Sequence, residues 1–342
     1  MKLRLLVPQV KPLPEDRPTA CRYCQSPVLQ RHQQVPKALI DTQVRQTQAV
    51  RYRCTGCRRT FRHYAQGASR YRQSQRVMGL AVLLWSLGLS QRAVAVVLTG
   101  LEAGIHRSTV LRDIHRAGAA LWRRWHVSPV RVLGADETVV RVRGRPVLLG
   151  FVVDASTGAT VGVDILLGQD SRGFLGWLRP YVERLGVQVL VTDDLITYKP
   201  VVDELAVGHQ VCLAHLRKGV SNRLKKVDGW EEDKARIQRV VRELPSEGGA
   251  ELLRLERRVV RSPPLRRLVV DLLQRWPALI CHQGTADVPA TNNRTEQAIG
   301  KSKVRFKTVR GFKSLLGAAA GVALTQWLYS GAEQHNLTEL AP

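Results

Sequence analysis

The chain has 342 residues, 44% of them apolar, enough for two or three domains with hydrophobic cores; this excludes a disordered chain and a disulfide-stapled miniprotein. Lys and Arg number 53 against 28 Asp and Glu, and the resulting formal charge of +25 points to a polyanionic partner. The excess is segregated, with 16 basic and 3 acidic residues in 1–76 but 8 basic and 10 acidic in 131–215, so phosphate-gripping flanks enclose a middle that keeps carboxylates for chemistry.

Residues 1–73 have little helical pattern but hold Cys21-x2-Cys24 and Cys54-x2-Cys57, separated by 29 residues. Each pair is a tight knuckle that lets two thiolates grip one tetrahedral ion, so the segment is predicted to be a zinc ribbon with one structural Zn2+ on Cys21, Cys24, Cys54 and Cys57. Four unrelated buried thiols are the alternative. Residues 74–126 read as helices broken at Gly88 and at 99–105, with Ser90 and Ser108 as N-caps. The second of the paired helices carries Arg107, Arg112, His115 and Arg116 on a polar side and Val110, Leu111 and Ile114 on an apolar one, as in a helix-turn-helix. Arg107, Arg112 and Arg116 are the expected DNA contacts, and an ordinary helical hairpin is the alternative.

From Val130 the period changes to that of strands, over 131–143, 146–154 and 159–166, with turns at Gly144 and Gly158. A helix over 170–185, a buried strand over 187–192, a helix over 198–206 and a short strand over 209–212 follow, which describes a mixed sheet flanked by helices. Residues 216–288 read as a helical insertion broken by Pro245 and Pro263-Pro264. Its Trp230 and Trp276 are expected in the insertion's core, with stacking on a displaced base as the alternative. A basic helix over 292–310 and an apolar one over 315–329 complete the chain. The apolar stretches 77–89 and 315–329 are too short and interrupted to span a membrane, and residues 1–7 do not make an export signal. A cytoplasmic chain with free thiols and metal sites is therefore expected.

Three carboxylates stand out. Asp136 lies in the first strand, Asp193 follows the apolar strand, and Glu296 opens the basic helix, so adjacent strands and a helix can bring them together as an oxygen-rich cage for two Mg2+ (or Mn2+) ions. Singly, Asp136 and Asp193 also suit strand-end turns, and Asn293-x-x-Glu296 also fits a capping box. Strand alternation sends Asp193 and Asp194 to opposite faces, so only one should face the site. Lys303, Lys307 and Arg310 follow Glu296 at helical spacing and are read as DNA contacts, a solvated basic face being the alternative.

The runs Gly134-Ala135-Asp136-Glu137-Thr138, Val191-Thr192-Asp193-Asp194 with Tyr198, Cys212-x2-His215, and Asn292-Asn293-Arg294-Thr295-Glu296 together resemble the catalytic core of DDE transposases of bacterial insertion sequences, over about residues 130–315. The resemblance implies an α/β fold: an RNase H-like mixed sheet with an all-helical insertion, preceded by the zinc ribbon and the helix-turn-helix. The expected domains are 1–73, 74–126, a first core segment 130–215, the insertion 216–288, and a second core segment 289–342. The 103 residues between Asp193 and Glu296 are similar to the spacing in Mutator-type and related elements. The family pattern carries over to Asp136, Asp193 and Glu296 as catalytic Mg2+ ligands, although Asp194 stands where relatives often have Gly. It also implies that His215 helps at the scissile phosphate, with a structural Cys212 and His215 as the alternative.

The implied activity is transposition. The enzyme would bind terminal inverted repeats and target double-stranded DNA, work as a homo-oligomer of at least two chains, and reside with the bacterial nucleoid. A zinc-ribbon/helix-turn-helix regulator without catalysis and an RNase H-like structure-specific nuclease are the rival functions.

Overall fold

A computed structural model describes residues 4–124, 128–309, 311–330 and 334–340. In chain order the elements are β1 (Arg4–Leu6), β2 (Leu29–Ala38), β3 (Gln46–Cys54), β4 (Thr60–Tyr64), α1 (Gln75–Ser86), α2 (Gln91–Gly100) and α3 (Arg107–Arg124). Then come β5 (Val132–Val142), β6 (Arg145–Asp154), β7 (Thr160–Ile165), α4 (Ser171–Leu185), β8 (Val189–Thr192), α5 (Tyr198–Leu205) and β9 (Gly208–Val211). Helices α6 (Leu213–Leu224), α7 (Glu231–Glu243), α8 (Gly248–Arg258), α9 (Pro263–Gly284), α10 (Asn293–Thr308) and α11 (Leu315–Leu328) follow, and then β10 (Gln334–Asn336). The chain divides into two units, one of Met1–Trp125, Arg141–Gly144 and Lys301–Pro342, the other of His126–Val140 and Arg145–Gly300.

In the first unit β2, β3 and β4 form an antiparallel sheet, while β1 pairs in parallel with β10. Ser74 caps α1 by accepting from the Val77 amide and donates its hydroxyl to the buried Asp41. Ser90 caps α2 through the Ala93 amide at 3.1 Å, as its position predicts. Ser108 does not cap α3. The helix already begins at Arg107, and the Nδ1 of His106 stands 2.8 Å from the Ser108 hydroxyl.

Helix α3 buries Val110, Asp113, Ile114 and Ala117, a spacing of three, four and seven, so Leu111 turns outward rather than joining the apolar face expected of it. Helix α11 lies against α3 so closely that a Cβ on Gly118 would fall 2.6 Å from the Ala320 Cα; only glycine fits there. By its contacts α11 belongs to this unit, whereas residues 289–342 as a whole were expected in the strand-bearing core.

In the second unit the sheet has the order β7-β6-β5-β8-β9. β6 and β7 are antiparallel, whereas β8 pairs in parallel with both β5 and β9. All four residues of β8 are buried, which is why that strand reads as an unbroken apolar run. Helices α4 and α5 cover Leu133, Ala135, Val152 and Leu190 with Phe174, Leu178, Tyr198 and Val201, and the Phe174 and Tyr198 rings stack at 4.7 Å. The fold is RNase H-like. Helices α6 to α9 form the insertion, which starts at Leu213 and has its own core of Leu216, Val220, Ile237, Leu252, Leu265 and Leu272. Trp276 is buried in that core against Gly248, where a Cβ would meet its ring at 2.2 Å, and Trp230 packs on the same cluster. Trp276 is a core residue and Trp230 a partly buried one at the edge of that core.

Candidate active site and metal centres

The first centre is built on the β3–β4 hairpin, whose register sets Tyr52 opposite Phe61 and Arg53 opposite Thr60. Cys54 ends β3, Cys57 sits in the turn, and Cys21 and Cys24 approach from the segment before β2. Their sulfurs all lie within 4.8 Å of one another, with Cys21 and Cys57 at 3.7 Å and Cys24 and Cys54 at 3.6 Å. A tetrahedron with Zn–S arms of about 2.3 Å has edges of about 3.8 Å, so the four thiols are already spaced for one ion. The backbone N–H of Cys57 favours the thiolate of Cys54 and pulls its pKa down to about 6. The donor set fits zinc.

The second centre lies in the RNase H-like unit. Parallel pairing sets Gly134 opposite Val191, so Asp136 and Asp193, each two residues further on, leave neighbouring strands at the same height. The start of α10 is tied to β5 beside them. Asn292 donates its amide N–H to the Ala135 carbonyl at 2.8 Å and accepts the Thr295 hydroxyl at 2.6 Å. A Cβ on Gly134 would come within 2.3 Å of the Thr295 hydroxyl and 2.9 Å of the Asn292 amide oxygen, so this close approach requires glycine. Glu296, one residue on, reaches within 3.5 Å of the His215 Nδ1.

Electrostatics place Asp136 and Asp193 among other acids. Burial pushes the Asp136 carboxyl up to about 7, and the charges of Asp193, Glu137 and Glu296 push it the same way. Asp193 is raised by burial, with Asp194 and Glu296 adding to the effect and His215 opposing it. Asp136 and Asp193 thus sit among other acids that disfavour their charge, and oxygen donors of this kind suit Mg2+.

Asp194 does not share that site, because it is ion-paired to the buried Arg275 of α9, which also holds Asp271 at 2.7 Å. Nor is Glu296 consumed by the capping box: the helix start is closed by Asn292 and Thr295, and the side chain of Glu296 is exposed. Cys212 is buried and His215 exposed, three residues apart at the head of α6.

Sequence reasoning missed two participants. Glu137 accepts the buried Tyr198 hydroxyl at 2.8 Å and the Gln169 amide at 3.4 Å, while its own backbone N–H donates to Asp136 at 2.7 Å. The second, Asn292, makes a bond across 157 positions. The Asp136-Glu137 pair and Tyr198 were visible as letters, but nothing local joins them.

The DNA-binding candidates are spread out. Arg107 and Arg112 are exposed on α3, the latter bonded to the Thr109 hydroxyl at 2.9 Å. Arg116 is engaged, 4.2 Å over the Tyr71 ring and 3.4 Å from the buried Asp113. Lys303 and Lys307 are exposed on α10, and Arg310 lies outside the described residues. Between them Arg305 is buried, 4.0 Å over the Trp85 ring, and burial lowers its pKa to about 10. Among the described residues no helix is long and apolar enough to cross a membrane.

Among solved structures, the chain is similar to the Drosophila P element transposase strand transfer complex, with 12% identity, TM-score 0.33, and coverage of 78% of this chain and 80% of that one. It is also similar to the catalytic core domain of HTLV-2 integrase in complex with magnesium, with 17% identity, TM-score 0.22, and coverage of 29% of this chain and 72% of that one. For the catalytic domain of Mos1 mariner transposase the values are 13% identity, TM-score 0.19, and coverage of 48% and 90%. No curated protein matches the sequence. Residues 220–320 match the model of the Transposase IS66 family, a stretch that runs from α6 through the insertion to the Glu296 helix and into α11. That match, to a family of transposases, covers the part of the chain that bears Glu296.

Proposed function

We propose that the chain is a DDE-type transposase that binds the terminal inverted repeats of its element through the cysteine-bearing sheet and α2–α3, and cuts and joins strands with Asp136, Asp193 and Glu296. What supports this reading is that Asp136 on β5, Asp193 just after β8 and Glu296 in the first turn of α10, 57 and 103 positions apart in sequence, come near enough for the charges of Asp193 and Glu296 to act on Asp136, while the Glu296 carboxylate itself lies beside Cys212 and His215. Two Mg2+ (or Mn2+) ions bound there would activate the attacking oxygen and stabilise the leaving 3′ oxygen of an in-line displacement. Asp136 on β5 and Asp193 just after β8 would supply oxygen ligands. Asn292 and Thr295 hold the helix from which Glu296 supplies the third, and Tyr198 anchors Glu137 beside Asp136. His215, within reach of Glu296, can hold a proton or a phosphate oxygen at the edge of the site.

One Zn2+ on Cys21, Cys24, Cys54 and Cys57 would keep the ribbon folded. Arg107, Arg112, Lys303 and Lys307 are exposed and available to DNA, and Arg112 on α3 is assigned to a base edge. Joining two ends requires at least two chains, acting at the bacterial nucleoid. The test is a labelled terminal-repeat duplex incubated with the protein, Mg2+ and a target plasmid. Strand transfer is the expected product; cleavage without joining would favour a nuclease, and binding without either a regulator.

A further inference from the structure

Cys212 stands immediately before α6 and His215 follows three positions later, so the two side chains share the face at the head of that helix. Glu296 reaches the same place from α10. A sulfur, a ring nitrogen and a carboxylate oxygen of the three residues lie within 4.8 Å of one another, and the His215 Nδ1 is 3.5 Å from the Glu296 oxygen. A tetrahedral ion with arms of about 2.0 to 2.3 Å spans edges of about 3.3 to 3.7 Å, so small side-chain shifts close the triad on one ion. Cys212 is buried while His215 and Glu296 are exposed, which leaves the fourth position open to water. These donors differ in kind from the carboxylate cage: a thiolate and an imidazole select zinc-class ions, whereas Mg2+ takes oxygen.

We propose that Cys212, His215 and Glu296 form a second zinc-class site that overlaps the magnesium site through Glu296. Zn2+ and Mg2+ then compete for one carboxylate. An ion held by the thiolate and imidazole fixes Glu296 where it already lies, beside α6, and denies it to Asp136 and Asp193, so a zinc-class ion inhibits. The inhibition rests on the function proposed above; the binding does not.

The test uses the full chain with its ribbon zinc retained. Titration with Co2+ in magnesium-free buffer is expected to produce a thiolate-to-cobalt charge-transfer band that saturates at one further equivalent. The band should be lost in Cys212→Ser and lose intensity in His215→Asn, with circular dichroism confirming that both variants are folded. In the Mg2+ strand-transfer assay, Zn2+ should suppress the wild type and excess Mg2+ restore it. Relative to its own zinc-free rate, Cys212→Ser should need at least about tenfold more Zn2+ for the same suppression. A cobalt band that is absent, or that persists unchanged in both variants, overturns the site. A band that behaves as expected in a protein without Mg2+ activity supports the site and counts against the proposed function instead.

Discussion

The side-chain amide of Asn292 donates to the carbonyl oxygen of Ala135 at 2.8 Å, and that one bond fastens the first turn of α10 to the strand carrying Asp136. Its loss leaves a buried carbonyl unpaired, at a cost of about 1 to 3 kcal/mol. Asn292→Ala should therefore lower the melting temperature and, because Glu296 is no longer held in place, reduce strand transfer more than DNA binding. Gly134→Ala should be more severe, since the added carbon falls 2.3 Å from the Thr295 hydroxyl and forces the helix outward. A displacement of about 1 Å is enough for a loss of about a hundredfold. Full activity in Gly134→Ala would show that α10 need not lie against β5.

Asp136→Asn, Asp193→Asn and Glu296→Gln each keep shape while removing a ligand charge, so each should abolish cleavage and joining with end binding retained. Asp194→Asn should behave differently. It weakens the ion pair to Arg275, whose other partner is Asp271, and should cost about 1 to 3 kcal/mol of stability while the folded fraction still joins ends. A folded Asp194→Asn protein that cannot cut, beside an active Asp193→Asn, would transfer the ligand role to Asp194.

The thiol cluster makes a prediction about metal content. Freshly purified protein should carry about one tightly held zinc per chain, and Cys54→Ser should release it and weaken binding to terminal DNA, with the RNase H-like unit still folded. Elemental analysis of the purified chain decides: zinc-free protein that binds terminal DNA normally would remove the ribbon's metal from the account.

Asp113 makes a prediction about pH. Burial raises its carboxyl to about 6, above the value of about 4 expected when unfolded, so the folded chain holds this proton more tightly. Its contribution is intact below about pH 4 and is lost as pH rises through about 6, a change of about 2 to 3 kcal/mol. Asp113→Asn, which can still accept from Gln73, should therefore gain stability over the wild type between pH 4 and 7 in urea denaturation. Parallel pH curves for the two proteins would contradict it.

Arg112→Ala should lose about 1 to 3 kcal/mol of binding and discriminate less between terminal and random duplex, as a base contact would. Lys307→Ala should instead weaken both duplexes alike and reduce the salt slope by about one unit. Gel-shift titrations at several salt concentrations separate the two patterns.

What could be read in advance followed local chemistry. The spacing of the cysteine knuckles announces the four-thiol cluster, and the unbroken apolar run of β8 announces a buried strand, all four of whose residues are buried. The strand and helix order of the RNase H-like unit came from changes of period that tertiary packing did not override. Long-range pairing was less visible. The sequence pattern sets Leu111 on the apolar side of α3, yet it is exposed, and the buried place is taken by Asp113, partnered by Gln73 and Arg116, which nothing in the local sequence singles out. Helix α11 is apolar nearly all round, so its sequence says that it is buried but not that its neighbour is α3. Arg305, charged and on a basic helix, gave no sign of lying under Trp85.

The helical insertion between Asp193 and Glu296 also orders events in time. A ribosome completes the cysteine sheet, α1–α3 and all five strands of the RNase H-like sheet before it reaches α10, so a nascent chain can acquire much of its fold while the third carboxylate does not yet exist. Closing contacts over so long a separation is slow relative to local folding, and the insertion's own helices, rich in short-range contacts, can form meanwhile. Interrupted synthesis or proteolysis before α10 would release a fragment bearing α2–α3 without the means to cut. On the proposed function, such a fragment would compete with the full-length chain for the ends of the element and so damp the rate at which the element moves.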